Sequence, residues 1–320
     1  MEDLVDALAG IPLSQSCLDH GRVTLVDCIP RMRPHDRTLE YRAVEAARMS
    51  FGRALKSKIE DARLFEYLLE HGHTSPCEQI QFTFSVECPL FVLGHIVRHR
   101  TAKLNVFSQR YAEVLDKFYL PEKFVLSSTS SAQGGSEENG FDEQTTNLFR
   151  AALQSTYQNS YETYLRLLKQ GVTREQARIV LPSATYTSLI ITFDLNNLLK
   201  FFTLRCAPEC QYETRVFACA MRELVTPLIP SAIRLQMMPR FSFNSDEIEM
   251  LTGRKKCSER KRREIQTRWN AMHDKLEPEK DDSASSIFPD ICQADSTYNI
   301  TPQITLQQEE TGSIAMTASI

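Results

Sequence analysis

Residues 98–111, RHRTAKLNVFSQRY, set Arg98, Arg100, Lys103 and Arg110 around His99 in a chain whose formal net charge is only -4. Arg178 and Arg205 recur later, each inside or at the end of a helical pattern. Apolar segments flank these arginines, and an unpaired guanidinium is costly to bury. Arg98, Arg100, Arg110, Arg178 and Arg205 converging on a core therefore call for an anionic partner. Ion pairs with Glu78 or Glu175 would serve any single one of them. Five together favour a phosphate-bearing ligand, because the guanidinium fork binds phosphate bidentately.

Two other chemistries are weaker. His95 and His99 have the i,i+4 spacing that suits zinc on a helix face, with His71 and His73 earlier in the chain. The glutamate of HExxH is missing and Arg98 and Arg100 would repel a cation, so no metal is expected. Cys77 follows a Ser-Pro helix start, where a thiolate is favoured, and His73 is near in sequence. A small buried residue beginning a strand is the plainer reading of Cys77.

These side chains need elements to position them. Residues 22–28 read as a strand, 39–51 as a helix, and 58–71 as a second helix stopped by Gly72. Ser75, Pro76 and Glu78 have the spacing of a capping box. Residues 79–87, QIQFTFSVE, alternate strictly and form the clearest strand in the chain. A helix over 90–100 follows, with His95, Arg98 and His99 on one face. If the next segment is extended, Val106, Ser108 and Arg110 point the same way. Residues 124–146 read as a polar mobile loop, and a long helix then closes at Gly171. Thr173 and Gln176 cap a short helix that holds Arg178 and ends at Pro182. A β-branched strand over 185–193 leads to Asp194 as the N-cap of 195–205, which delivers Arg205 at its end. Pro208 opens a further helix.

Composition bounds the rest. With 320 residues and 42% hydrophobic content the chain can bury a sizeable core. The beginning MEDLVDALAG lacks the pattern of a signal peptide, and no run of apolar residues is long enough for a membrane span. A cytoplasmic protein with no membrane partner is expected. The nine cysteines are odd in number and carry no CxxC pair, which fits free thiols in a reducing compartment. Residues 241–320 hold ten basic and fourteen acidic residues, leaving 27 of each before them. The folded part is thus balanced, and nucleic-acid affinity is not expected of the core. Apolar residues thin out past Asn244, so the tail is expected to be largely disordered. The organisation expected is an N-terminal extension over 1–21, a folded domain over 22–240 and a polar tail over 241–320.

The segment RHRTAKLNVFSQRY resembles the RHR-x7-S motif of flavin-dependent thymidylate synthases (ThyX), with Arg98, His99 and Arg100 ahead of Ser108. HGHTSPCEQIQFTF, REQARIVLP and FFTLR also look like that family, in the right order, and the similarity covers residues 22–240. The resemblance implies an α+β fold of ThyX type, with a central β-sheet flanked by helices. It also implies a homotetramer with FAD and dUMP bound between subunits. The implied activity is methylation of dUMP to dTMP with methylenetetrahydrofolate, NADPH reducing the flavin. Carried over, Ser75, Arg98, His99 and Arg100 contact FAD. His95, Arg98, Ser108, Gln109, Arg110, Arg178 and Arg205 line the dUMP site. Arg205 is the catalytic residue, favouring ionisation of the uracil N3 so that C5 becomes electron-rich. No cysteine attack on uracil is then required, and the cofactor carries the redox chemistry.

Several positions depart from the family pattern. Val106 replaces a glutamate, His95 a glutamine and Glu209 a histidine, while Asp194, Asn196 and Lys200 differ from the Asn, Arg and Asn used around the flavin. These changes remove or reverse charge near a dianionic cofactor. The alternative they suggest is a diverged, non-catalytic nucleotide-binding paralogue.

Overall fold

The computed structural model describes residues 2–3, 13–33, 37–50, 52, 54–127, 135–238, 241–243, 247, 250, 258–261, 263–267, 303–308 and 314–319. The chain forms two compact units, 1–237 and 238–320. In the second, the short strands Phe241–Phe243, Ile314–Ser319 and Gln303–Gln308 pair antiparallel in that order. Most of the expected polar tail lies outside the described residues.

The first unit is built on one antiparallel sheet. Its strands are β1 (Ser14–Cys17), β2 (Gly21–Ile29), β3 (Gln81–Pro89), β4 (Lys103–Val106) and β5 (Tyr186–Asp194), in the order β1-β2-β3-β5-β4. β1 lies within the stretch expected to be an N-terminal extension. β3 is central, and its alternation is carried out in space: Phe82, Phe84 and Val86 are fully buried, while Thr83, Ser85 and Glu87 face the other side half-exposed. On that second face the Thr83 and Thr192 hydroxyls bond across β3 and β5 at 2.9 Å.

The helices of this unit are α1 (Tyr41–Met49), α2 (Lys58–Glu70), α3 (Leu90–Ile96), α4 (Glu143–Lys169), α5 (Arg174–Ala177), α6 (Leu195–Arg205), α7 (Tyr212–Val225) and α8 (Pro230–Met237). Most cover the apolar face, whereas α4 and α5 form a separate cluster of Tyr164 and Ala177 with Val114. Leu198, Phe201 and Phe202 of α6 and Phe217, Met221 and Leu224 of α7 pack with Val23, Phe82, Phe84, Ile191 and Phe193 of the sheet. Truncating one such phenylalanine to alanine costs about 3–5 kcal/mol. Gly21 lets α7 come this close: a Cβ there would lie 2.6 Å from the Phe217 ring and 2.6 Å from the Cys17 carbonyl oxygen.

The caps are partly those expected. Gly72 (φ +70°) and Gly171 (φ +85°) take the left-handed conformation past α2 and α4. The Asp194 carboxylate accepts from Asn197 N at 2.9 Å and starts α6. Other expectations are corrected. Ser75–Gln79 is a 3-10 helix whose N-cap is Thr74, without a side-chain cap bond, so the capping box does not form. Thr173 also makes no side-chain cap bond. Within 124–146, expected to be a loop, Val125–Ser127 pairs with Gly135–Gly140, and α4 already begins at Glu143. There Asp142 accepts from Thr145 N at 2.8 Å. Pro208 lies in a turn, and α7 starts only at Tyr212.

Candidate functional site

Two helices bring the central cluster together. α3 leaves β3 directly, because Pro89 cannot extend the ladder by an N–H. It stops at Ile96, short of the helix over 90–100 expected from sequence. The chain then turns, with Arg98 N bonding the His95 carbonyl at 3.3 Å and His99 N the Ile96 carbonyl at 3.1 Å. α6 runs back towards this turn and ends on Arg205. The Arg205 Nε donates to His99 Nε2 at 3.0 Å, and its Nη2 donates to the His95 carbonyl at 3.3 Å. Phe201, one helical turn before Arg205 and fully buried, meets the His99 ring edge-on at 4.8 Å between centroids. α7 adds Thr214, whose hydroxyl lies 2.8 Å from His95 Nδ1.

The electrostatics follow from this packing. Burial, and then the Arg205 charge, push His99 below the ordinary histidine value of 6.5. His95 is lowered by the same two causes, with Glu213 opposing. Both rings therefore stay neutral at pH 7, and His99 offers a bare Nε2 to Arg205.

The remaining predicted residues lie in other places. β4 ends at Val106, and Phe107 N makes one more ladder bond, to the Ser188 carbonyl at 2.8 Å. A turn follows, closed by Tyr111 N on the Ser108 carbonyl at 3.2 Å. Arg110 sits in that turn, donates to the Tyr111 hydroxyl at 3.1 Å and lies 5.1 Å over its ring. It is thus out of strand register with Val106, contrary to the extended reading of 106–110. Val106 pairs with Leu189 and packs on the main core. Gln109 is only 8% exposed, and its amide nitrogen has no hydrogen-bond partner. Arg178 is half-buried on the 3-10 turn Arg178–Val180, and Ser75 is exposed in the turn before β3.

Burial does not hold for three of the arginines. Arg98, Arg100 and Arg110 are exposed, and only Arg178 and Arg205 are half-buried. The ion pairs with Glu78 or Glu175 do not form: among the described residues none of the five arginines lies within ion-pair distance of a carboxylate. Cys77 is fully buried in the 3-10 helix rather than beginning the strand, and burial pushes its thiol up to about 12. That suppresses the thiolate a nucleophile needs. Asp194 is engaged in capping, Asn196 is buried, and Lys200 and Glu209 are exposed.

Residues 34–231 match the family described as thymidylate synthase complementing protein. The chain belongs to this family. It is 42% identical over 221 residues to a flavin-dependent thymidylate synthase of Thermus thermophilus, covering 69% of this chain and 77% of that one. The flavin-dependent thymidylate synthase of Dictyostelium discoideum is 40% identical over 216 residues, covering 67% and 70%. Among solved structures, the UMP/dUMP methylase PolB from Streptomyces cacaoi bound with 5-Br dUMP superposes with a TM-score of 0.59 at 28% identity, covering 69% of this chain and 96% of that one. The α+β architecture is thus that of a flavin-dependent thymidylate synthase.

Within this family member, sequence reasoning named His95, His99 and Arg205 but missed what holds them. Phe201 had a signal, since its four-residue spacing from Arg205 puts both on one face of α6. Thr214 had none, because one threonine in an amphipathic helix looks like any other.

Proposed function

We propose that this chain methylates dUMP at C5 to give dTMP, taking the carbon from methylenetetrahydrofolate and the electrons from NADPH through FAD. The observation that carries this reading is Arg205 held at the end of α6 by His99 Nε2 and the His95 carbonyl, with no carboxylate among the described residues within ion-pair distance of it. A fixed cation beside a uracil ring favours loss of the N3 proton, which raises electron density at C5. Both contacts come from this chain's own residues, which fix the guanidinium in place.

The other residues fit an anionic nucleotide and an anionic cofactor. Gln109 carries an orphaned donor next to Ser108 and Arg110, and a buried donor without a partner is built to meet a ligand acceptor. Ser108, Gln109, Arg110, Arg178 and Arg98 would hold the dUMP phosphate and base, with His95 beside Arg205. Ser75, Arg98, His99 and Arg100 would hold FAD. Arg98 and Arg100 are exposed cations suited to its diphosphate, and His99, accepting at Nε2, keeps an N–H at Nδ1. Bound FAD supplies the two-electron chemistry that carries reducing equivalents from NADPH to the transferred carbon.

A homotetramer belongs to the same reading. The exposure of Arg98, Arg100 and Arg110 in one chain supports sites completed by a neighbour, and sedimentation at micromolar concentration tests it. A cytoplasmic location is the setting proposed; among the described residues no helix is long and apolar enough to cross a membrane. The decisive experiment is to purify the protein and supply dUMP, methylenetetrahydrofolate and NADPH. Yellow protein that forms dTMP is expected. Colourless protein that gains no flavin absorbance in FAD would overturn the reading, and dUMP binding by such protein would mark a non-catalytic nucleotide-binding paralogue.

A further inference from the structure

We infer that Thr214 is a positioning residue that fixes the tautomer of His95, so that His95 presents an Nε2–H donor to an oxygen of the bound nucleotide. The inference rests on the reading of His95 as part of the nucleotide site.

An ordinary helical threonine donates its hydroxyl proton to the carbonyl one turn back, as Thr156 does to Ala152, Thr203 to Leu199 and Thr226 to Arg222. Thr214 does not. It is 1% exposed, and among the described residues its side chain bonds only His95 Nδ1, at 2.8 Å. If His95 carried its proton on Nδ1, the Thr214 hydroxyl would have to accept it, and its own proton would be buried without an acceptor. That costs the desolvation of a hydroxyl with nothing in return. The hydroxyl therefore donates to Nδ1, and the ring proton sits on Nε2.

Nε2 has no partner among the described residues, and the ring is half-exposed. The groups around it are Arg205, bonded to the carbonyl of the same residue, and Glu213 next to Thr214, whose carboxylate accepts from the Tyr119 hydroxyl at 3.2 Å. Arg205 opposes a second ring proton and Glu213 favours it; burial sides with Arg205. What remains is a single fixed N–H, the donor that a carbonyl or phosphate oxygen accepts. His99 is the mirror case: its Nε2 accepts from Arg205, so its proton lies on Nδ1. Two histidines four residues apart thus hold opposite tautomers, each set by one neighbour.

The test is magic-angle-spinning 15N NMR of the full chain labelled at histidine, with His95 assigned by loss of its signals in His95→Gln. Free protein at pH 8 should show His95 with a protonated Nε2 and a bare Nδ1. Thr214→Ser should keep that pattern, and Thr214→Val, close in shape, should give a mixture of tautomers. A protonated Nδ1 in the native chain, or an unchanged pattern in Thr214→Val, overturns the part given to Thr214 whatever the enzyme does. Addition of dUMP should then move the His95 Nε2 signal, and Thr214→Val should raise KM for dUMP roughly tenfold with kcat little changed. Binding of dUMP that leaves Nε2 unmoved overturns the part given to His95, while dTMP formation by the same sample keeps the proposed function standing.

Discussion

Arg205 donates its Nε–H to His99 Nε2 at 3.0 Å, and this contact ties the place of the guanidinium to the protonation of a histidine. A doubly protonated His99 would set an N–H against an N–H and break the contact. Burial and Arg205 itself hold His99 below 6.5.

Activity should therefore have an acid limb set by His99. Above about pH 6.5 the ring is neutral and kcat/KM is flat; as pH falls through the lowered His99 value, kcat/KM should drop tenfold per unit. Stability moves in the same direction. Between pH 6.5 and the lowered folded value the unfolded chain binds more protons, so folding free energy is lost as pH falls. A pH–rate profile with thermal melts checks both, and a kcat/KM that stays flat while 15N NMR shows His99 taking up its second proton would contradict the contact.

On α2, the Asp61 carboxylate gathers Arg48 Nη2 at 2.6 Å, Arg37 Nη1 at 2.6 Å and Lys56 N at 3.1 Å. Burial alone would raise its carboxyl, but the hydrogen bonds from Arg48 and Arg37 outweigh it and hold the carboxyl below 3.8. This contribution is complete above about pH 3.8 and is lost as pH falls below it. Asp61→Ala leaves Arg48 buried without its counter-charge and should cost about 3–5 kcal/mol in urea unfolding.

How much of this was legible beforehand depended on whether the signal was local. The alternation of Phe82, Phe84 and Val86 depends on period alone, and Gly72, Gly171 and Asp194 act within a turn of their own helices. The end of α3 at Ile96 is not local, because Arg205 arrives from α6 to bond the His95 carbonyl and His99. The pairing of Val125–Ser127 with Gly135–Gly140 was hidden by a Gly/Ser-rich composition that also describes loops. For the candidate site residues, the motif supplied the names and their order, whereas the exposure of Arg98 and Arg100 and the partner of His95 were set by other elements.

Val106 shows how register misleads when it is read through a turn. Since it pairs with Leu189 and packs on the core, Val106→Glu should place a carboxylate among apolar neighbours, destabilising by about 1–3 kcal/mol. Isothermal calorimetry should find no gain in dUMP affinity, and a tighter complex at unchanged melting temperature would contradict this placement.

Gln109 should show a trade between stability and function. Its buried amide nitrogen has no hydrogen-bond partner among the described residues, so Gln109→Leu should leave stability equal or raise it by about 1 kcal/mol. If Gln109 donates to the nucleotide as proposed, the same change should raise KM for dUMP about tenfold. Lower stability with an unchanged KM would make the residue purely structural.

The central claim is that the Arg205 cation drives the chemistry at C5, and single-turnover dTMP formation by Arg205→Ala tests it most directly. The variant should remain yellow, because Ser75, Arg98 and Arg100 are untouched and His99, though it loses the Arg205 bond, keeps its contact with Phe201. It should form dTMP about 100- to 1000-fold more slowly, as expected on losing one charge-stabilising donor. Formation of dTMP at the native rate by a folded, flavin-loaded Arg205→Ala protein would contradict the account.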